Sequence, residues 1–128
     1  MKYTSTLLII IFFFVTLPKL IAQNKQHFPE IEKGIASYYG KGFNGRKTSS
    51  GEVFCSDSLT AAHKRLKFGT LVKVTNISND SSVVVKINDR LPQSSKRCID
   101  LSYRSAKKLN FISKGITRVI VEVIYVPQ

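Results

Sequence analysis

The chain has 128 residues, 43% of them hydrophobic, and carries 20 Lys and Arg against 8 Asp and Glu for a net charge of +12. That gives room for one compact domain with a modest core and excludes several domains of ordinary size within it. The charge points to polyanionic partners, and the two cysteines are too far apart for a CxxC metal site, so no metal and no cofactor is expected.

In chain order, residues 1–22 read as a secretory signal peptide. Lys2 charges the start, an apolar run extends from Leu7 to Leu17, Pro18 breaks it, and Ala22 offers a small residue for cleavage. The run, about eleven residues, is well short of the roughly 20 needed to span a bilayer, so stable membrane insertion after cleavage is not expected. Gln23 follows the cut where a lipid-bearing protein has cysteine, so no lipid anchor is expected. The protein is thus expected to be exported, periplasmic or extracellular. Cleavage removes Lys2 and Lys19 and leaves 18 basic side chains against 8 acidic. In an exported protein the matching polyanions are cell-wall polymers or anionic headgroups rather than nucleic acid. Export also leaves open whether Cys55 and Cys98 pair, closing a long loop worth about 3 to 4 kcal/mol in the chain-entropy picture, or remain two separate thiols.

Residues 23–33 are polar and aperiodic and read as a flexible lead. Residues 34–40 read as a first strand with Ile35, Ser37 and Tyr39 on one face and Ala36 and Tyr38 on the other. Tyr38 and Tyr39 have two uses, stacking on sugar rings or packing in a core. Glycines and a Thr-Ser-Ser run make residues 41–58 a long loop, and long loops in small domains are often functional. Residues 70–75 alternate with period two, residues 76–81 form a turn, and residues 82–88 return, which is a β-hairpin pattern.

The return strand is the centre of the chain. Val83, Val84, Val85 and Ile87 have the character of a strand buried on both faces, and Asn88, Asp89 and Arg90 stand at its end. Asp89 there is either a general acid against an apolar wall or part of a turn before Pro92. Ser102 is a candidate N-cap for a helix over residues 103–110, with Tyr103, Ala106 and Leu109 facing the core. Residues 116–126 alternate again as a last strand. Many short strands with one helix predict a small β-barrel.

Taken together, Gly34-Ile-Ala-Ser-Tyr-Tyr-Gly40, Gly45-Arg-Lys-Thr-Ser-Ser-Gly-Glu52, Leu59-Thr-Ala-Ala-His63, Phe68-Gly-Thr70, Val85-Lys-Ile-Asn-Asp-Arg90 and Ile99-Asp-Leu-Ser102 resemble the rare lipoprotein A family over residues 34–126. The resemblance implies a mainly β fold, a small six-stranded double-psi β-barrel with one or two short helices, related to expansins and to a murein transglycosylase. It implies a monomeric lytic transglycosylase that cleaves peptide-stripped peptidoglycan glycan strands and leaves 1,6-anhydromuramyl ends. It places the catalytic groove on Glu52, His63 and Asp89, with Asp89 as the single acid/base and the other two orienting sugar hydroxyls or tuning it. Tyr38, Tyr39, Thr60, Asn88 and Arg90 are the expected substrate-binding residues, and Asp100, Cys55 and Cys98 the structural ones. A Cys55–Cys98 bridge would tether the groove's loop to the barrel. Leu91 stands where the family usually has glycine and is expected to reshape the groove beside Asp89. Two other classes fit the same barrel: an expansin-like wall-binding module without catalysis, and an inverting hydrolase with Glu52 or Asp100 as its second carboxylate, roughly 6.5 to 9.5 Å from the first.

Overall fold

A computed structural model describes residues 30–128. The expected signal peptide and residues 23–29 of the lead lie outside the described residues. Six strands, β1 (Ile31–Tyr38), β2 (Thr60–His63), β3 (Leu71–Asn76), β4 (Ser82–Arg90), β5 (Ile99–Leu101) and β6 (Thr117–Tyr125), close into a barrel in the order β1-β5-β2-β4-β3-β6. β1 with β5 and β2 with β4 run parallel, and the other four pairs are antiparallel. One helix, α1 (Tyr103–Lys108), follows β5, and a single 3-10 turn (Lys41–Phe43) opens the long loop.

The expected hairpin forms as β3 and β4, with Val72 opposite Val85 and Val74 opposite Val83. A six-stranded barrel has a narrow interior, so its inward positions take small or β-branched side chains. Ala36, Ala61, Val72, Val74, Val85, Ile87, Val119 and Val121 are each at most 1% exposed. Leu109 and Phe111, just after α1, join the same core. Ser102 caps α1, its hydroxyl accepting from the Ser105 N–H and donating to the Ser58 carbonyl. Asn76, 2% exposed, knits the closure: its amide donates to the Leu109 carbonyl and its oxygen accepts from the Thr117 hydroxyl and the Ser78 N–H.

Three expectations change and one open alternative is decided. Tyr103 of α1, expected to face the core with Ala106 and Leu109, is 40% exposed. The first strand begins at Ile31 rather than Gly34, because β6 is long enough to pair residues 31–36 in an unbroken register, drawing the end of the lead into the barrel. β4 is not buried on both faces: Val84 is 42% exposed, on the outer face opposite Lys73, while Val83 and Val85 point inward. Its β-branched run reflects a pleated, half-buried surface rather than a fully internal strand. Finally, Cys55 and Cys98 are unpaired, Cys55 exposed and Cys98 buried. Cys98 packs against Gly34 of β1, where an added Cβ would come within 2.8 Å of the Cys98 Cβ. Cys55 lies in the loop held to α1 by the Arg104 N–H and the Ser56 carbonyl, so no bridge tethers that loop.

Candidate active site

The register of three adjacent strands builds the site. Ala62 of β2 pairs with Asp89 of β4 on one side and with Asp100 of β5 on the other, and Asp100 pairs in turn with Ser37 of β1. Cross-strand partners share a face. Ser37, Asp100, Ala62 and Asp89 therefore form a row across the outside of the barrel, because their sequence neighbours Ala36, Ile99, Leu101 and Ala61 occupy the core. Two strand spacings separate the acidic residues, roughly 10 Å between backbones, with the buried Ala62 between them. A bulge between Ala61 and Ala62 brings Asp89 into this row.

Asp89 accepts from the Tyr39 hydroxyl at 2.5 Å and from the Ser49 and Arg90 N–H groups at 2.9 Å each. The Ser49 donor comes from the tip of the long loop, which doubles back as Thr48 and Gly51 close a turn with Gly51 at φ +89°. That conformation suits glycine. Phe54, 3% exposed, anchors the loop by stacking on the Tyr39 ring at 4.3 Å, and Phe43 meets the same ring edge-on. Tyr39 is thereby clamped with its hydroxyl on Asp89.

The two acids have opposite tendencies. Burial alone would push the Asp89 carboxyl up, but the hydrogen bonds from Tyr39, Ser49 and Arg90 outweigh it and leave it below the ordinary aspartate value. Burial also dominates at Asp100 and there it prevails. The Ser37 hydroxyl at 2.9 Å and the Arg97 guanidinium at 3.7 Å pull the other way, the charge of Asp89 adds to the rise, and Asp100 is held above its ordinary value. Ser37 links the two groups beside it, accepting from Arg97 and donating to Asp100. Burial and the neighbouring Asp89 hold the Tyr39 phenol in its protonated, donating form.

The other expected residues are dispersed. His63 is 1% exposed, and its partner across the ladder is the core residue Ile99, which puts it on the opposite face of β2 from Ala62. Its Nδ1 accepts from the Arg65 and Leu66 N–H groups, which assigns the proton to Nε2, and Nε2 donates to Glu32 at 2.8 Å. It is a knot between β1, β2 and the following turn, not a groove residue. Tyr38 is likewise core: its ring meets Phe111 edge-on and its hydroxyl donates to the Ile112 carbonyl. Glu52 is exposed and engaged by Lys86 at 2.8 Å and by the Asn88 amide at 3.3 Å, and the Lys86 hydrogen bond holds its carboxyl below the ordinary value. Arg90 lies over the Phe68 ring at 4.0 Å. Thr60 is 7% exposed, its hydroxyl buried without a protein partner. Leu91 is 5% exposed, its side chain packed away from solvent and its N–H donating to the His63 carbonyl. Asp100, expected to be structural, is the second acidic side chain of this row. Ser37, Ser49, Ala62 and Arg97 complete it, and only their places in the quoted motifs or beside them pointed that way.

Among the described residues no cluster of three His, Cys, Asp or Glu side chains is arranged to hold a metal ion, and no helix is long and apolar enough to cross a membrane.

A closed six-stranded double-psi β-barrel with two carboxylates on the strands that flank β2 defines the class. Residues 31–121 match the lytic transglycolase family, and the chain belongs to it. It is 50% identical over 98 residues to the endolytic peptidoglycan transglycosylase RlpA of Haemophilus influenzae, covering 77% of this chain and 34% of that protein. It is 43% identical over 115 residues to the protein of the same name from Campylobacter jejuni, covering 85% and 42%. The chain thus spans well under half the length of these curated relatives. In fold it is similar to the Clavibacter michiganensis expansin, with a TM-score of 0.62 at 19% identity over 77% of this chain and 52% of that one.

Proposed function

We propose that this barrel is the catalytic domain of an exported endolytic lytic transglycosylase, acting as a monomer on the bond between N-acetylmuramic acid and N-acetylglucosamine in peptide-stripped glycan strands. The observation that carries the reading is the Asp89–Ala62–Asp100 row, two carboxyl groups on one face of the sheet with proton affinities shifted in opposite directions. Such a split divides acid and base roles between two groups. Asp100, the carboxyl with the higher proton affinity, protonates the glycosidic oxygen as the bond to the muramyl C1 breaks. Asp89, ionised, takes the proton from the muramyl O6 hydroxyl as that oxygen bonds to C1. The 1,6-anhydro ring results, Asp100 ends as carboxylate and Asp89 as acid, and the proton returns through solvent. This differs from the single acid/base expected at Asp89, because a carboxylate held ionised by three donors is poorly placed to give a proton. Tyr39 and Ser49 orient Asp89, and Ser37 and Arg97 hold Asp100.

The family, the relatives' names and the leader-like segment at residues 1–22 support cell-wall glycan as substrate and an exported location. The expansin likeness keeps a binding module without catalysis as the second reading. Mass spectrometry of soluble products from amidase-stripped peptidoglycan separates the readings. Anhydromuramyl ends made by the unaltered protein, and lost in Asp100→Asn and Asp89→Asn, support the transglycosylase. Reducing ends would indicate a hydrolase, and co-sedimentation without products a binding module.

A further inference from the structure

The exposed face of α1 adjoins Tyr39 of the site through a shared depression. Three adjoining depressions share Tyr103 as a common wall. One opens toward Tyr39 and Lys41, a second toward Asn110 and Ile112, and the largest, about 430 Å³, toward Arg104, Lys107 and Lys108. Tyr103, Arg104, Lys107 and Lys108 fall at i, i+1, i+4 and i+5, one side of the helix, while Ser105 and Ala106 are buried on the other. Tyr103 is 40% exposed and is braced from behind by Tyr38, whose ring meets it edge-on at 6.2 Å. Among the described residues, none of Arg104, Lys107 and Lys108 is in an ion pair. Asp57 is the one acid lining this wall, and the Arg104 guanidinium donates to its backbone carbonyl, not to its carboxylate.

A rigid aromatic surface with unpaired cations beside it suits a sugar polymer that carries regular negative charge. Peptide-stripped glycan is such a polymer. Every N-acetylmuramic acid bears a lactyl ether whose carboxyl group is tied up as an amide while the stem peptide is attached and becomes a free carboxylate once it is removed. We propose that Tyr103, Arg104 and Lys107 form an extended subsite next to the catalytic groove that reads free lactyl carboxylates, and that this charge recognition is what selects stripped over peptide-bearing strands. The inference rests on the proposed function for its substrate class, and it concerns binding rather than cleavage.

The test compares binding of the full chain, in an Asp100→Asn background that keeps strands uncut, to stripped glycan and to the same glycan after its lactyl carboxylates are converted to methylamides. The expected preference for the carboxylate form is about tenfold at low salt, equivalent to about 1.4 kcal/mol, falling to within about twofold in Arg104→Gln/Lys107→Gln. Lys33→Gln/Lys73→Gln, which removes equal charge from β1 and β3, should keep the preference. Tyr103→Ala should weaken both forms alike, by about three- to tenfold. Equal binding of the two glycans, or a preference that survives Arg104→Gln/Lys107→Gln or is lost equally in the Lys33/Lys73 control, overturns the subsite. Anhydromuramyl production by the unaltered protein is scored separately. A charge preference that depends on Arg104 and Lys107 without such products upholds the subsite and removes the catalytic reading. Products without the preference do the reverse.

Discussion

Asp89 and Asp100 are both register partners of Ala62, one on the parallel strand β4 and the other on the antiparallel strand β5. The parallel-antiparallel alternation of the barrel is what brings the ends of two chain segments, eleven positions apart, to the same level. Their opposite shifts make a bell-shaped pH dependence the expected signature. Activity falls at low pH as Asp89 gains its proton and at high pH as Asp100 loses its own. Asp100→Asn should remove the alkaline limb together with roughly 10²- to 10⁴-fold of the rate, the usual worth of a general acid. A profile unchanged by Asp100→Asn, with Asp89→Asn abolishing both limbs, would return the reaction to a single acid/base at Asp89.

Tyr39→Phe isolates the tuning of Asp89. The ring stays stacked on Phe54, while the carboxylate loses its 2.5 Å donor and keeps the Ser49 and Arg90 N–H groups. Its proton affinity rises, so the acid limb of the rate profile moves to higher pH with little change in the alkaline limb. The linkage has the same sign. A carboxyl lowered on folding stabilises above its unfolded value, and that stabilisation fades as pH falls through the folded value. Tyr39→Phe should flatten this acid-side loss in a series of thermal melts, and a profile and melt series identical to those of the unaltered protein would remove Tyr39 from the site.

Asp100→Asn should also make the protein more stable at neutral pH. A carboxyl raised on folding contributes stability below its unfolded value and loses it as pH rises through the folded value, so at neutral pH its ionised form is a cost. Asparagine has nearly the same shape, and its oxygen can still accept from the Ser37 hydroxyl. Melting temperature at pH 7 should rise by a few degrees, and the gain should shrink toward acid pH, where the native carboxyl is protonated. A fall in melting temperature at pH 7 would mean that the Arg97 pairing outweighs the burial. Such a gain in stability with loss of activity is the trade expected where function needs a buried charge.

His63→Ala tests the reassignment of the histidine. It leaves the part-buried Arg65 N–H and the buried Leu66 N–H without their acceptor and opens a cavity under Glu32, at a cost of about 2 to 4 kcal/mol. Urea unfolding should show that loss, while the rate per folded molecule stays within about threefold, because His63 lies on the face of β2 away from the acids. Unchanged stability with a rate lower by two orders of magnitude would put the imidazole back in the groove.

What the sequence determined by itself is the local structure with a strong period or a strong cap. The β3–β4 hairpin, the alternation along β6 and the Ser102 cap of α1 all depend on residues close in the chain, and all are found where the pattern puts them. The family motifs carried the barrel and pointed to Asp89. Tertiary structure alone decided the rest. β2 and β5 have four and three residues, too few for a period, so nothing local places Ala62 between Asp89 and Asp100. Strand side chains alternate, so whether His63 and Tyr38 face the groove or the core depends on strand register, and a bulge at Ala61/Ala62 adjusts it. Asp100 looked structural because its proton affinity is not a property of its neighbours in sequence. It comes from burial against β1 and from a second charge two strands away, which prevail over the pull of Arg97 three residues earlier, and only the closed barrel assembles that burial and that charge.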